Sequence, residues 1–287
     1  MPKLTKTALK KTALTLLTFG IISTACAADY PIPPDLPSEG PVFYEPATIK
    51  HGVYIGLGVG ALDFNNTMDY SASGVAANTP FNISQSTSNN NVGVTGVLDL
   101  GYYWAFPNRL FFGVEGFGNL NNAKVSQSAS NSKTTANGDI TANLSISDDF
   151  KWEGVYGARV LPGIQVTSHS TLYGIVGYAR GAASLSTPTN SSTVTDNNTG
   201  TVTTINLNEN SGLFTNYSFN GYQLGLGTMI DLVPHLALRA DVIYSGYSSQ
   251  TLGTKTTTFS DGGTATTSLS AQPYTVEGDL SLVYMFG

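Results

Sequence analysis

The sequence predicts an all-β fold: an eight-stranded antiparallel up-and-down barrel that crosses a membrane and carries four long extracellular loops. Three observations support this. Stretches of about ten residues alternate apolar and polar side chains, as a strand does when successive side chains point to opposite faces. The connections between these stretches alternate short and long, which is the outer-membrane plan of short periplasmic turns and long outer loops. Charged residues are only 11 % of the chain, and mean hydropathy is +0.00. In a barrel the apolar and polar faces cancel in any running average, so a neutral mean does not argue against a membrane.

The N-terminus comes first. Lys3, Lys6, Lys10 and Lys11 form a basic region, Thr12 to Ile22 is an apolar run, and Ala25-Cys26-Ala27 offers small residues for cleavage. That is a secretory signal peptide over residues 1–27. The apolar run is shorter than the ~20 residues a spanning helix needs. Cys26 is the chain's one cysteine. It is either acylated as a lipoprotein cysteine or simply part of the cleavage site, with Ser23 standing where a lipidation motif prefers a Leu-like residue. Residues 28–49 are proline-dense and read as a stiff periplasmic tether. Residues 50–287 are the barrel.

The strands follow in order. His51–Leu62 places Val53, Ile55, Leu57, Val59 and Ala61 on one face, with Tyr54 and glycines on the other. Val92–Ala105 sets Val92, Val94, Leu98, Leu100, Tyr102 and Trp104 against Thr95 and Asp99. Leu110–Leu120 sets Leu110, Phe112 and Val114 against Glu115. Phe150–Val160 sets Phe150, Trp152, Tyr156 and Val160 against Lys151, Glu153 and Arg159. Thr171–Ala183 is strand-like, but its faces are too alike to orient. Tyr222–Leu232 sets five apolar residues against Gln223, and Leu236–Tyr244 sets Leu236, Leu238, Val242 and Tyr244 against Arg239 and Asp241. The last strand puts Leu280, Leu282, Tyr284 and Phe286 on the greasy parity and Glu277 and Asp279 on the other. Aromatics near both ends of greasy faces favour a membrane, because amphipathic rings settle at its boundaries.

The short connections are Phe106–Arg109, a turn near Thr167–Ser170, and Asp231–His235. The long ones are about Asp63–Asn91, Asn121–Asp149, Ser184–Asn220 and Ser245–Pro273. Alternation continues into pieces such as Ile140–Ile146 and Thr201–Asn208. Hairpins extending past the lipid are therefore expected, with ten spanning strands as the competing count. The polar faces put Asp99, Glu115, Glu153, Arg159, Arg239, Asp241, Glu277 and Asp279, and with them Lys151, into the lumen. An eight-stranded barrel has an interior just wide enough for its own side chains, so these read as a structural salt-bridge network in which acids and arginines are neighbours.

Chemistry is thin elsewhere. Gly56-Leu-Gly58-Val-Gly60-Ala61 matches a dinucleotide-binding pattern, but no helix pattern follows, and the glycines share one strand face. They serve to keep the inner wall thin. The three histidines, His51, His169 and His235, lie at strand ends on one side, without the oriented base a nucleophile needs. No cofactor, metal or catalytic residue is expected. Removing residues 1–27 takes away four lysines and moves the formal charge from −6 to −10, which argues against nucleic acid.

These pieces resemble the opacity-like family of small outer-membrane β-barrels, including alphaproteobacterial surface antigens of the 25/31-kilodalton type. The matching segments are the Pro-rich start, Gly52–Gly56, the pair Gly154–Arg159 and Leu172–Tyr178, Leu238–Tyr244 and the terminal aromatic. The resemblance implies insertion by the outer-membrane assembly machinery, which reads the last strand through Leu280, Leu282, Tyr284 and Phe286. Here the chain ends on Gly287 rather than on the aromatic. It further implies a monomer in the outer membrane of a Gram-negative bacterium, in contact with outer-membrane lipid, with a structural or adhesive role and a host or cell-surface ligand for its loops. A narrow porin-like channel and a lipid-modifying enzyme are the alternatives.

Overall fold

A computed structural model of the chain describes residues 50–76, 78–186, 191–206, 216–259 and 262–286. The signal peptide, Cys26, the tether and Gly287 lie outside the described residues. Twelve antiparallel strands make up the described fold: β1 Lys50–Ala76, β2 Thr79–Ala105, β3 Leu110–Asn121, β4 Lys124–Thr134, β5 Ile140–Gln165, β6 Ser170–Ser186, β7 Ser191–Asp196, β8 Thr201–Asn206, β9 Tyr217–Val233, β10 Leu236–Tyr247, β11 Gln250–Thr258 and β12 Thr264–Phe286. No helix of the described chain is long and apolar enough to cross a membrane.

The pairings close on themselves. β1 pairs β2, β2 pairs β3, β3 pairs β5, β5 pairs β6, β6 pairs β9, β9 pairs β10, β10 pairs β12, and β12 pairs β1. Each strand of this ring has a partner on both sides, which removes the exposed edges that invite aggregation. β4, β7, β8 and β11 stay outside the ring. β4 and β7 pair β5, β8 pairs β7, and β11 pairs β12.

The long connections are mostly strand. β1 and β2 stay in register from Lys50↔Ala105 to Ala76↔Thr79 and turn around Asn78, whose φ is +60°. β5 likewise includes Ile140–Ile146, and Thr201–Asn206 is a strand of a β7–β8 hairpin rather than of the ring. These segments thus form an extension of the ring at one end. At the other end the turns are tight, and Arg109 and His235 take positive φ of 66° and 69° there.

One local irregularity reorients a strand. Between Trp152 and Gly154 the β5–β6 register shifts. An extra residue in one strand swaps the faces of everything beyond it. Phe150 and Trp152, expected outside, are fully buried inside. Glu153 and Lys151, expected in the lumen, lie on the outer wall with exposed or half-exposed side chains. The residues after the shift keep their expected faces, with Tyr156 and Val160 outside and Arg159 inside.

Candidate functional site

Seen from the short-turn end, the ring interior is layered. The first layer is apolar: Phe111, Leu161, Tyr173, Ile175 and Ile243 pack together, beside Tyr54, Ala237 and Val283. The sequence placed a charged network in the lumen and did not point to an apolar layer. The apolar layer arises because inward positions near the short turns hold aromatics and aliphatics. Outside this layer a vestibule of about 690 Å³ opens at the short-turn end, lined by Tyr103, Met229, Met285, His169 and His235 among others. Beneath Arg239 only a void of about 10 Å³ remains, room for at most one water.

The second layer is charged. Arg239 and Arg159 sit among three carboxylates. Arg239 Nη1 lies 2.6 Å from Glu115 Oε2 and 3.5 Å from Asp99 Oδ2, and its Nη2 lies 2.6 Å from Asp241 Oδ2. Arg159 donates from Nη2 to Asp99 Oδ1 at 3.0 Å and from Nε to Glu115 Oε1. Two tyrosines complete the set, with Tyr54 donating to Glu115 at 2.5 Å and Tyr173 donating to Asp241 at 2.6 Å. Each guanidinium offers a planar fork of donors, so two of them can cross-link three acids, the five residues together coming from four strands. The Arg159 guanidinium also lies 4.7 Å from the centre of the Phe117 ring.

The remaining two acids stand apart. Asn119 Nδ2 donates to Glu277 Oε1 at 2.9 Å. Neither Glu277 nor Asp279 makes an ion pair, and neither oxygen of the buried Asp279 carboxylate finds a hydrogen-bond partner among the described residues. Acids and arginines are therefore not uniformly neighbours. The inward positions of β12 face polar groups such as Asn119 rather than a cation. Glycines leave room for this crowding. A Cβ at Gly60 would sit 2.0 Å from Asp279 Oδ1, and one at Gly58 would sit 2.1 Å from Ser281 Oγ. The glycine pattern of β1 thus makes room, in mid-strand, for the inward side chains of the neighbouring strand β12, where Gly60 is paired with Asp279 and Gly58 with Ser281.

The third layer fills the extension and is apolar again. Phe64 stacks on Phe150 at 5.8 Å and on Trp152 at 5.1 Å, and Trp152 meets Tyr247 edge-on at 4.9 Å. Met68, Tyr70, Ile140, Leu144 and Leu269 are fully buried around them.

The outer wall reverses this order. Beside the charged layer every ring strand exposes apolar side chains, among them Leu57, Val94, Phe112, Val160, Val176, Leu226, Tyr244 and Leu282. Leu57 is 63 % exposed and Leu226 67 %. Aromatics bound this belt. Near the short turns Trp104 lies 4.7 Å from Tyr102 and 5.9 Å from Phe112, and Tyr284 lies 4.9 Å from Phe286. At the other margin Tyr222, Tyr244 and Tyr274 follow one another at 6.2 and 6.1 Å. Leu280, Leu282, Tyr284 and Phe286 all lie in this belt. Beyond it the outward positions are mostly polar, rich in Ser, Thr, Asn and Asp with a few charged residues such as Lys124, Lys151 and Arg180.

Sequence reasoning missed Tyr54 and Tyr173 as members of the charged layer. Tyr173 lay on the strand whose faces could not be told apart, and its inward glycine neighbour across the pair, Gly227, was the available signal. The three histidines gather at the short-turn end without a shared partner. His51 Nδ1 meets Tyr102 Oη at 2.6 Å, His169 Nδ1 meets Ser168 Oγ at 2.8 Å, and His235 Nδ1 meets the Met285 carbonyl at 3.1 Å.

The sequence matches no protein-family model and no curated protein. Among solved structures, the attachment invasion locus protein Ail of Yersinia pestis, in complex with the heparin analogue sucrose octasulfate, is 16 % identical, with 75 % of this chain and 98 % of that chain covered and a TM-score of 0.28. Neisserial surface protein A is 12 % identical over 78 % and 97 %, with a TM-score of 0.32. The outer membrane protease OmpT of Escherichia coli is 7 % identical over 82 % and 97 %, with a TM-score of 0.31. Likenesses of this size add nothing to what the strand pairing and the distribution of side chains already say.

Proposed function

We propose that this protein is an integral outer-membrane protein: an eight-stranded up-and-down transmembrane barrel whose plugged lumen makes it a structural and surface-display scaffold rather than a channel or an enzyme. The observation that carries the reading is the polarity of the ring. Its outer wall is apolar all round where its interior is charged, and the two exchange beyond the aromatic margin. Water outside would favour the opposite arrangement, because exposed Leu and Val cost free energy there and buried charges cost more. Lipid outside removes the first cost. The outward run of β1 from Val53 to Ala61 has the length of a spanning strand, about 9–11 residues.

The remaining assignments follow from that one. The short turns face the periplasm and the extension faces the medium. The signal peptide directs export, the assembly machinery reads β12, and the protein works as a monomer. The Arg159–Arg239 layer and the packed Phe64–Trp152 layer oppose ion flow. The polar outer walls of the extension present the surface that would meet other cells or host ligands.

The test is purification from the outer-membrane fraction and electrophoresis with and without heating. A compact, fast-migrating form that slows on boiling is expected. A soluble exported protein without that shift would overturn the membrane reading. Planar bilayers doped with pure protein should stay silent, whereas steady unitary conductance would replace the scaffold with the narrow channel. For the surface role, cells displaying the full chain should adhere to host matrix more than cells displaying a chain with the β7–β8 hairpin cut back to a turn. Equal adhesion would remove that hairpin from the role.

A further inference from the structure

Nine basic residues follow residue 27, and three of them gather on one side of the ring, just past its aromatic margin. Lys124 on β4 is directly opposite Lys151 on β5, and Arg180 follows Tyr178 on the outward face of β6. Like charges directly opposite each other on a sheet are unfavourable unless something anionic lies between them. Asp149 holds Lys124 at 2.8 Å, while Glu153 stays 3.9 Å from Lys151 and accepts a hydrogen bond from Ser184 at 2.8 Å. Arg180 is exposed and makes no ion pair among the described residues. The corresponding outer wall of β1 carries Asp63 and Asp69 instead, so the basic side is a local exception on an acidic molecule.

Directly below, on the same wall, the apolar belt is indented. A groove of about 530 Å³ runs over β3, β5 and β6 between Val114, Val160 and Val176, with Gly116 and Ala158 as its floor. A Cβ at Gly116 would come no nearer than 3.8 Å to any atom, so the glycine is not there to relieve a clash. It leaves a hollow that faces lipid. Tyr178 sits between the groove and Arg180, its hydroxyl turned to Asn220 at 2.7 Å.

We propose that this wall binds one phosphorylated, multi-acyl lipid of the outer leaflet, with an acyl chain in the Gly116–Ala158 groove and phosphates on Arg180 and on the Lys151–Lys124 pair. The inference rests on the membrane reading above. Guanidinium and ammonium groups at a membrane surface attract anionic headgroups, and the planar guanidinium suits phosphate oxygens in particular. Spacing narrows the ligand. Ser184 is level with Lys151 and four residues beyond Arg180 on β6, about 13 Å at ~3.3 Å per residue. A headgroup with two separated phosphates reaches both tiers; a single phosphate reaches one.

The experiment uses the full chain refolded in detergent and titrated with three probes: a bisphosphorylated disaccharide lipid, its monophosphorylated form, and inorganic pyrophosphate. Bound lipid is read by native mass spectrometry. The bisphosphorylated lipid should bind roughly tenfold tighter than the monophosphorylated one. Arg180→Ala combined with Lys151→Ala should abolish that preference. Gly116→Leu should weaken both lipids by a similar factor and leave the preference intact. Lys133→Ala with Lys255→Ala, in the distal hairpins, should change nothing. Equal binding of the two lipids overturns the proposal. So does displacement of lipid by pyrophosphate at matched concentration, which would mark a phosphate site without a lipid groove. The heat shift of each sample separates the two readings. Folded, heat-modifiable protein without lipid preference removes only the lipid site, whereas protein with no heat shift removes the membrane reading beneath it.

Discussion

The two halves of β1 show how one strand can obey opposite rules along its length. Even-numbered residues face inward from Gly52 to Ala76 without interruption. In the first half they are Tyr54 and glycines against a charged layer, and the outward residues are Val53, Ile55, Leu57 and Val59. In the second half they are Leu62, Phe64, Met68 and Tyr70 in a fully buried apolar core, and the outward residues are Asp63, Asn65, Thr67 and Asp69. The backbone geometry is the same. Only the solvent on the outer wall differs, lipid in the proposed belt and water beyond it. In the extension the hydrophobic effect packs the interior as in any water-soluble protein. In the middle of the belt the interior is charged, and cohesion there comes from hydrogen-bonded ion pairs, with an apolar layer only nearer the short turns.

The largest effects should come from removing the cohesive group of either half. Arg239→Leu leaves Asp241 with Tyr173 but no cation and Glu115 with Arg159 and Tyr54 alone, and should cost about 3–5 kcal/mol, seen as a lower urea midpoint for the vesicle-bound protein. A loss below about 1 kcal/mol would show that the charged layer fills space without holding the belt together. Trp152→Ala should cost a similar ~3–5 kcal/mol, but locally. Proteolysis of the extension hairpins should rise while the heat-modifiable belt persists, with Trp104 fluorescence reporting on the belt. Simultaneous loss of both would mean the halves fold as one unit.

Next in size is a charge on the outer wall. Leu57→Arg should cost about 2–4 kcal/mol if that position faces lipid, whereas Ser73→Arg, on the same parity of the same strand, should fall within about 0.5 kcal/mol. Equal costs for the pair would erase the distinction between the halves. Asp279→Asn should be neutral or slightly stabilising, because its carboxylate has no partner to lose. Destabilisation by more than about 2 kcal/mol in the same urea assay would reveal a partner. The smallest effect belongs to Glu153→Gln, under about 1 kcal/mol as for an exposed pair, against a several-fold larger cost for Glu115→Gln. A cost for Glu153 matching that of Glu115 would place it back in the lumen.

Much of the fold was legible in the sequence. Greasy parity was readable on β2, β3, β9, β10 and β12 because each strand keeps one alternation through the belt, and a single periodic signal needs no knowledge of neighbours. The short turns were readable because Pro107-Asn108 and Pro234 punctuate them. β5 was not readable through its middle. The register shift at Trp152–Gly154 leaves the letters on either side alternating, so nothing local shows that the faces have been exchanged.

The amino-acid order by itself determined that the chain forms paired strands, that each strand has one apolar and one polar side, and that inward charge must be held within the ring. The tertiary structure alone decided which charges meet. Asp99, Glu115, Arg159, Arg239 and Asp241 converge because the register of the five strand pairings from β2 through β3, β5, β6 and β9 to β10 sets their relative heights, and Glu277 falls beside Asn119 by the same stagger. Glu153 was moved outside by one extra residue. Height around a closed ring is a sum over all its pairings, which no single stretch of sequence contains.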